Sequence, residues 1–321
     1  MPEPTTPRPL DAAGVIGAVI CCAIWGGNAV AAKYCIADGA LPPIGGAALR
    51  FAISLPVVAF VCMQGKARLW PDFRPGNGWL LLLHGALTAV QIGTFNWGTS
   101  LSEAGRSSIF INIHSLIVAP LAWMFLGEHL GTRGLVGLAS AALGVGIILA
   151  KQLWLGGGLL GDCVVLVSAV VFASQTIAQK LTFPRIPART LLFSQSIVAL
   201  VLSAIYSILF EGASSYHFTP DAVWGVVYQG LFSSGICFSV WLILLSRYPA
   251  SRLATIAFLT PFFGISLGSL MRGEPLTWQL AIGGVLVGLG IYLVASGKEE
   301  GAVEPTPDDG LAAPAEAAVL E

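Results

Sequence analysis

The chain is 321 residues long, carries a formal net charge of −1, and is 55% hydrophobic but only 10% charged, with a mean hydropathy of +0.80. A water-soluble domain draws about a quarter of its residues from Asp, Glu, Lys and Arg, so this composition cannot clothe a globule in water and points to lipid as the main solvent. The near-zero net charge leaves no basic footprint for nucleic acid, and the 38 glycines suit helices that pack closely in a bilayer.

Residues 1–13, with Pro2, Pro4, Pro7 and Pro9, read as a disordered tail. Apolar runs of about 20 residues follow, each long enough at 1.5 Å per residue to cross ~30 Å of hydrocarbon. The expected spans are 14–33, 43–63, 79–100, 106–126, 133–152, 160–180, 190–210, 222–245, 252–271 and 277–296. The first is too long for the core of a secretory signal. Between them stand turn formers such as Pro42-Pro43, Pro71 to Pro75, Gly127 to Gly131, Gly156 to Gly158, Pro184 to Pro187 and Gly273 to Pro275. Residues 298–321, rich in Glu, Asp, Pro and Ala, read as a second disordered tail.

With the N-terminus inside, 11 of the 16 Lys and Arg residues fall in inside segments and 4 (Lys33, Arg106, Lys151 and Arg272) in outside segments, while Arg50 lies within a span. That asymmetry predicts an inner or plasma membrane protein with both termini cytoplasmic. The six cysteines form no CxxC pair and read as small packing residues. The four histidines are scattered, no HExxH occurs, and no paired Asp lies within a span, so neither a membrane protease nor a metal or cofactor site is expected.

The two halves repeat at a shift of about 146 residues. Gly127-Glu128-His129-Leu130 matches Gly273-Glu274-Pro275-Leu276, Ala104 matches Ala250, Arg106 matches Arg252, Gly137 matches Gly283 and Gly144 matches Gly290. One residue further along, Trp25 meets Phe172, Asn28 meets Gln175 and Lys33 meets Lys180. Five spans is an odd number, so the second copy enters the membrane from the opposite side. The expectation is an all-α membrane protein of ten transmembrane helices, built as two inverted five-helix repeats over 14–152 and 153–297. Such repeats support alternating access around a midplane site.

Trp25-Gly26-Gly27-Asn28 with Lys33, Leu49-Arg50-Phe51, and the Leu126-Gly127-Glu128 and Arg272-Gly273-Glu274 blocks carry a resemblance over Val15 to Ser296. In these features the chain resembles the drug/metabolite transporter superfamily, EamA type. That resemblance implies ten helices, cytoplasmic termini, and carriage of small metabolites, often amino acids or related compounds and commonly outward. One departure concerns proline. Pro261 stands in the ninth span, but the matching first-half position is Ser115, with Pro120 five residues later, so a displaced kink is expected in the fourth span.

Polar side chains in hydrocarbon are costly and are candidates for the solute path. His84, Thr88, Gln91 and Phe95 form one stripe of the third span. Ser108, Asn112 and Ser115 share a face of the fourth. His114 lies roughly 200° from Asn112, which predicts that the two do not share a cavity. Trp25 and Asn28 share a face of the first span, and Phe172, Gln175 and Gln179 one of the sixth. In the eighth, Tyr228 and Trp241 supply aromatic surface, to a cavity or, for Trp241, to lipid. Interhelical bonding is the competing role for the amides and for His84. Arg50 lies roughly 10 Å into its span and serves either a solute or a structural anchor. Glu128 and Glu274 read as capping or gating groups, and Trp70, Trp79, Trp123, Trp154, Trp224 and Trp278 as interfacial anchors.

The expected partners are a small-molecule solute and the bilayer, with oligomeric state left open. The expected activity is carriage, probing first amino-acid-like metabolites and, as the alternative, nucleotide sugars or sugar phosphates. The latter would need several buried cations where this sequence offers Arg50 and Lys33. No carboxylate falls in mid-span, so coupling through a midplane acid is not expected. Either transport is uncoupled or a histidine, His84 before His114, carries the proton.

Overall fold

The computed structural model describes residues 10–36, 39–64, 77–102, 104–128, 131–153, 159–272 and 278–296. Most of the two tails, Trp70, Trp154, Gly156 to Gly158, His129 and Glu274 lie outside the described residues. Among those described there is helix and no strand.

The helices fall where apolar runs were read. α1 (Ala12–Gly26) and α2 (Asn28–Ile36) follow one another, then α3 (Pro43–Met63), α4 (Gly78–Leu101), α5 (Ala104–Leu126) and α6 (Thr132–Leu153). The second half holds α7 (Leu159–Thr182), α8 (Ala188–Tyr206) ending in a π-helical turn to Glu211, and α9 (Pro220–Val227). α9 continues through a π-helical stretch, Tyr228–Cys237, into α10 (Phe238–Arg247). α11 (Ala250–Ala257), α12 (Leu259–Arg272) and α13 (Trp278–Ser296) complete the chain. Among the described residues, six stretches are long and apolar enough to cross a membrane by length and composition: 12–36, 43–63, 78–101, 159–182, 188–211 and 220–247.

The interruptions have local causes. Asp11 caps α1 by accepting from Gly14 N at 2.7 Å. α1 ends at Gly26, where its backbone touches α12. A Cβ on Gly26 would stand 2.7 Å from Gly264 N. The break between α11 and α12 falls at Phe258, and Pro261, lacking an N–H, leaves the Ala257 carbonyl without its helical donor. By contrast α5 runs unbroken through Pro120.

α6 and α13 pack along a seam of glycines paired crosswise. A Cβ on Gly137 would lie 2.7 Å from Gly290 O, and one on Gly144 would lie 2.6 Å from Gly283 O. Between them Ser140 Oγ donates to Leu286 O at 2.9 Å. Residues 140 and 286 are themselves one repeat apart, and the two glycine pairs exchange under the same shift. Further pairs also correspond: α3 packs on α8, and α4 on α7 as α9 and α10 do on α2 and α1.

Two carboxylates tie the halves together at helix starts. Glu128 accepts from Ala250 N (3.0 Å), Ser251 N (2.9 Å) and Ser251 Oγ (2.9 Å) at the head of α11, with Lys180 Nζ 3.9 Å away. It is thus a cap, the favourable place for an anion on a helix dipole. Glu211 does the same for α3, accepting from Ile44 N at 2.9 Å and Gly45 N at 2.8 Å where Pro42 has no capping group. The largest apolar cluster joins Ala18, Cys22, Val58, Leu192, Leu245 and Leu253 from both halves. It lies toward the helix ends near residues 10, 62, 126, 188 and 250.

Candidate functional site

A cavity opens between the halves against that cluster. It encloses about 560 Å³ of non-atom space, mouth included, and its wall takes Trp25 from α1, Asn28 and Ala29 from α2, Arg50 from α3 and Gln91 from α4. The other half supplies Phe172, Ser233, Phe238 and Thr260, while α5 adds Ser108, Asn112 and His114. A smaller neighbouring pocket shares Trp25, Gln91, Phe172 and Phe238 and adds Gln175, Gln179, Gln195 and Trp241. An aromatic waist divides the two. The Trp25 ring meets Phe172 edge-on at 6.4 Å, Phe238 at 5.9 Å and Trp241 at 5.0 Å between centroids. Trp25 Nε1 donates to Ser233 O at 3.3 Å, which fixes the ring across the waist.

Arg50 is 1% exposed. Its Nη2 donates to Ser233 Oγ at 3.0 Å, its Nε donates to Ser234 Oγ, and the guanidinium carbon stands 5.5 Å over the Phe238 ring. Nη1 is buried with no hydrogen-bond partner, and among the described residues no carboxylate pairs with the group. Both serines lie on the π-helical stretch. Its i→i+5 pairing widens the turn and brings neighbouring hydroxyls to one side. Asn28 opens α2 just after the Gly27 break, and its Oδ1 is likewise buried without a partner.

The stripe on α4 has a different character. Gln91 Nε2 donates to Ser168 Oγ at 3.3 Å and Ser168 Oγ donates to Gln91 O at 2.6 Å. Gln175 Nε2 donates to Thr88 Oγ1 at 2.6 Å, and His84 Nε2 lies 2.9 Å from Thr182 Oγ1. Since Thr182 already donates its one proton to Ala178 O, His84 Nε2 is the donor in that bond. These rungs run antiparallel, 91 to 168, 88 to 175 and 84 to 182, and form a hydrogen-bonded seam between α4 and α7.

The sequence candidates therefore fall into three groups. Trp25, Asn28, Arg50, Gln91 and Asn112 line one cavity. Gln175 and Trp241 line the adjoining pocket, and Trp241 is buried rather than turned to the outer surface. His84 and Tyr228 line neither. His84 is fully buried in the seam, and Tyr228 donates to Ile24 O at 2.7 Å with its hydroxyl against Gly27. The expected separation of His114 from Asn112 does not hold. Both line the cavity, since the His114 ring stacks on Phe172 at 4.4 Å and its Nδ1 lies 2.8 Å from Ile111 O, which draws it round the helix. Ser233, Ser234 and Phe238 went unread because a 3.6-residue spacing assigns the wrong faces through a π-helical turn. The Ser233-Ser234-Gly235 run inside an apolar span was the available signal. Trp79, Trp123, Trp224 and Trp278 sit exposed on outer helix surfaces.

A solved crystal structure superposes on 88% of this chain and 98% of its own, with a TM-score of 0.73 at 19% identity, so the fold is one already known. An uncharacterized transporter of Archaeoglobus fulgidus is 29% identical over 84% of this chain and 94% of its own. The uncharacterized transporter YoaV of Bacillus subtilis is 25% identical over 87% and 95%. A protein of Escherichia coli named a probable amino-acid metabolite efflux pump is 26% identical over 86% and 92%. The model of the EamA-like transporter family matches twice, at residues 12–150 and 159–296. Two matches that together take in almost all of the helical chain, one to each half, make this protein a member of the EamA-like transporter family.

Proposed function

We propose that the chain carries small metabolites, amino acids or related compounds, out of the cell by alternating access, with the cavity around Trp25, Asn28, Arg50, Gln91 and Asn112 as its solute site. The observation that carries this reading is an aromatic-walled, largely apolar cavity with a few polar groups between two family repeats and a buried charge in its wall. Ten spans in two inverted repeats, over 14–152 and 153–297, accord with the crosswise glycine seam and the corresponding helix pairs. Cytoplasmic termini in an inner membrane follow from the Lys and Arg asymmetry. With that orientation the large apolar cluster closes the cytoplasmic side, and the cavity belongs to an outward-facing state. The relatives named as efflux pumps favour export. A sugar-phosphate solute is the poorer fit, because among the described residues Arg50 is the one Lys or Arg in the cavity wall.

Coupling through a midplane carboxylate is not part of this proposal, as among the described residues no Asp or Glu lines either pocket. Flux of a panel of amino acids and other metabolites into proteoliposomes, with and without a pH gradient, tests the whole. Saturable flux of an amino-acid-like solute is expected. Gradient-driven accumulation that survives His84→Ala and His114→Ala but vanishes on replacing one acidic residue would sink the coupling scheme, and absence of flux for every solute would sink the carrier.

A further inference from the structure

Arg50 is a charge the fold does not need for its own sake. Taking a guanidinium out of water costs several kcal/mol unless a counter-charge and full hydrogen bonding offset it, and in a membrane such a residue marks a functional site by default. Here two of its three nitrogens are held by Ser234 and Ser233, both neutral, and the third has no partner among the described residues. The repeat supplies no counterpart. Positions 195 to 197, one repeat away, are Gln, Ser and Ile. A scaffold role shared by both halves therefore does not account for the charge, whereas Ser233 and Ser234 hold it against Phe238 with Nη1 buried and unbonded among the described residues.

We propose that Arg50 Nη1 is the dock for a carboxylate of the carried solute, with Ser233 and Ser234 as the positioning residues that aim it. The inference rests on the carrier reading above and adds a chemical requirement to it. One guanidinium neutralises one negative charge, and the remaining polar groups of the wall are amides, hydroxyls and an imidazole. A monoanion leaves no residual charge in the cavity, and a zwitterion leaves an ammonium that the Asn28 Oδ1 acceptor and the aromatic faces can take. A phosphate dianion would leave a negative charge with no second Lys or Arg among the described wall residues, so an organic phosphate is the disfavoured solute. Asn28 Oδ1, the other buried polar atom of this wall without a partner among the described residues, is an acceptor, and takes a donor of the same molecule. The apolar body then lies against Trp25, Phe172 and Phe238. Because Arg50 comes from the first half and its two serines from the second, docking engages both halves at once.

The test uses the purified full chain in detergent and thermal stabilisation as the readout. Phenylalanine, leucine, threonine and phenyllactate are titrated beside their primary amides, and phosphoserine and glycerol 3-phosphate represent organic phosphates. At least one acid is expected to raise the melting temperature saturably, with its amide at least about tenfold weaker. Arg50→Gln is expected to lose at least about tenfold in affinity for that acid, while its ligand-free melting temperature falls no lower than that of the parent, since an unpaired buried charge has been removed. Equal binding of amides, preference for the phosphates, or no stabilisation by any acid overturns the dock. So does Arg50→Gln that melts lower yet binds the acid as before, the signature of a purely structural arginine. Should Arg50→Gln not fold, the acid-against-amide comparison on the unaltered chain still decides. A chain that binds acids in this pattern but shows no flux in proteoliposomes would break the carrier reading and leave the dock standing.

Discussion

Two polar regions of the same membrane-type fold differ in one respect. Along α4 and α7, Gln91, Thr88 and His84 each find a partner on the facing helix, at Ser168, Gln175 and Thr182. Across the cavity Arg50 is as deep and Asn28 is partly buried, and Arg50 Nη1 and Asn28 Oδ1 have no partner among the described residues; His84 Nδ1 in the seam is equally unpartnered, but it lines neither pocket. Polarity alone does not distinguish them. Position does: a polar group bonded across to the facing helix holds helices together, whereas an open group in a cavity wall is placed where a bound molecule can complete it. On the proposal above, the seam is glue and the cavity wall is the site, with Gln91 shared between them.

The comparison breaks most visibly at Arg50. Arg50→Gln is expected to lower solute flux in proteoliposomes about 10- to 100-fold, the worth of a hydrogen bond to a charged group, while leaving membrane insertion intact. Full flux would put Arg50 with the glue. A third contact, the dry seam of α6 and α13, gives the opposite pattern. Gly144→Val drives a side chain into Gly283 O and is expected to cost about 1–3 kcal/mol in unfolding titrations, with solute affinity unchanged in the folded fraction. A variant as stable as the parent would mean that these helices do not meet there. Smaller again is Glu128→Ala, which strips the cap from α11 and is expected to cost about 1 kcal/mol. Glu128→Gln should recover part of that. The smallest effect belongs to the polar seam. A double-mutant cycle of Thr88→Val and Gln175→Leu is expected to yield a coupling of about 0.6 kcal/mol, with flux retained. Flux falling as far as in Arg50→Gln would erase the distinction between seam and site.

Helix positions were legible because the run of apolar residues is dictated by hydrocarbon thickness, whatever the neighbours. The run read at 43–63 is α3, Pro43–Met63, and that at 133–152 lies within α6. The run read at 222–245 hides three pieces, since π-helical pairing changes no composition and leaves no periodic trace over ten residues. The break at Phe258 had Pro261 as its sign, but Pro120 carried the same sign and α5 continues through it. Context, not the proline alone, decides whether a helix divides. In the cavity, Trp25 with Asn28 was legible as a shared face. His114 was not, because its ring leans onto Phe172, a residue 58 positions away.

By itself, then, the sequence determined what the solvent dictates: apolar lengths, the polar breaks between them, and the repeat that pairs Gly137 with Gly283 and Gly144 with Gly290. These are local or periodic properties, written in composition and spacing. Which polar groups are answered was decided by tertiary structure alone. Arg50 owes two of its bonds to serines 183 and 184 positions away, and its open third nitrogen to the lack of any carboxylate among the described residues around it. Hydrogen bonds are fixed within a few tenths of an ångström by packing, so the separation of glue from site lies in distances between helices that no one-dimensional pattern records.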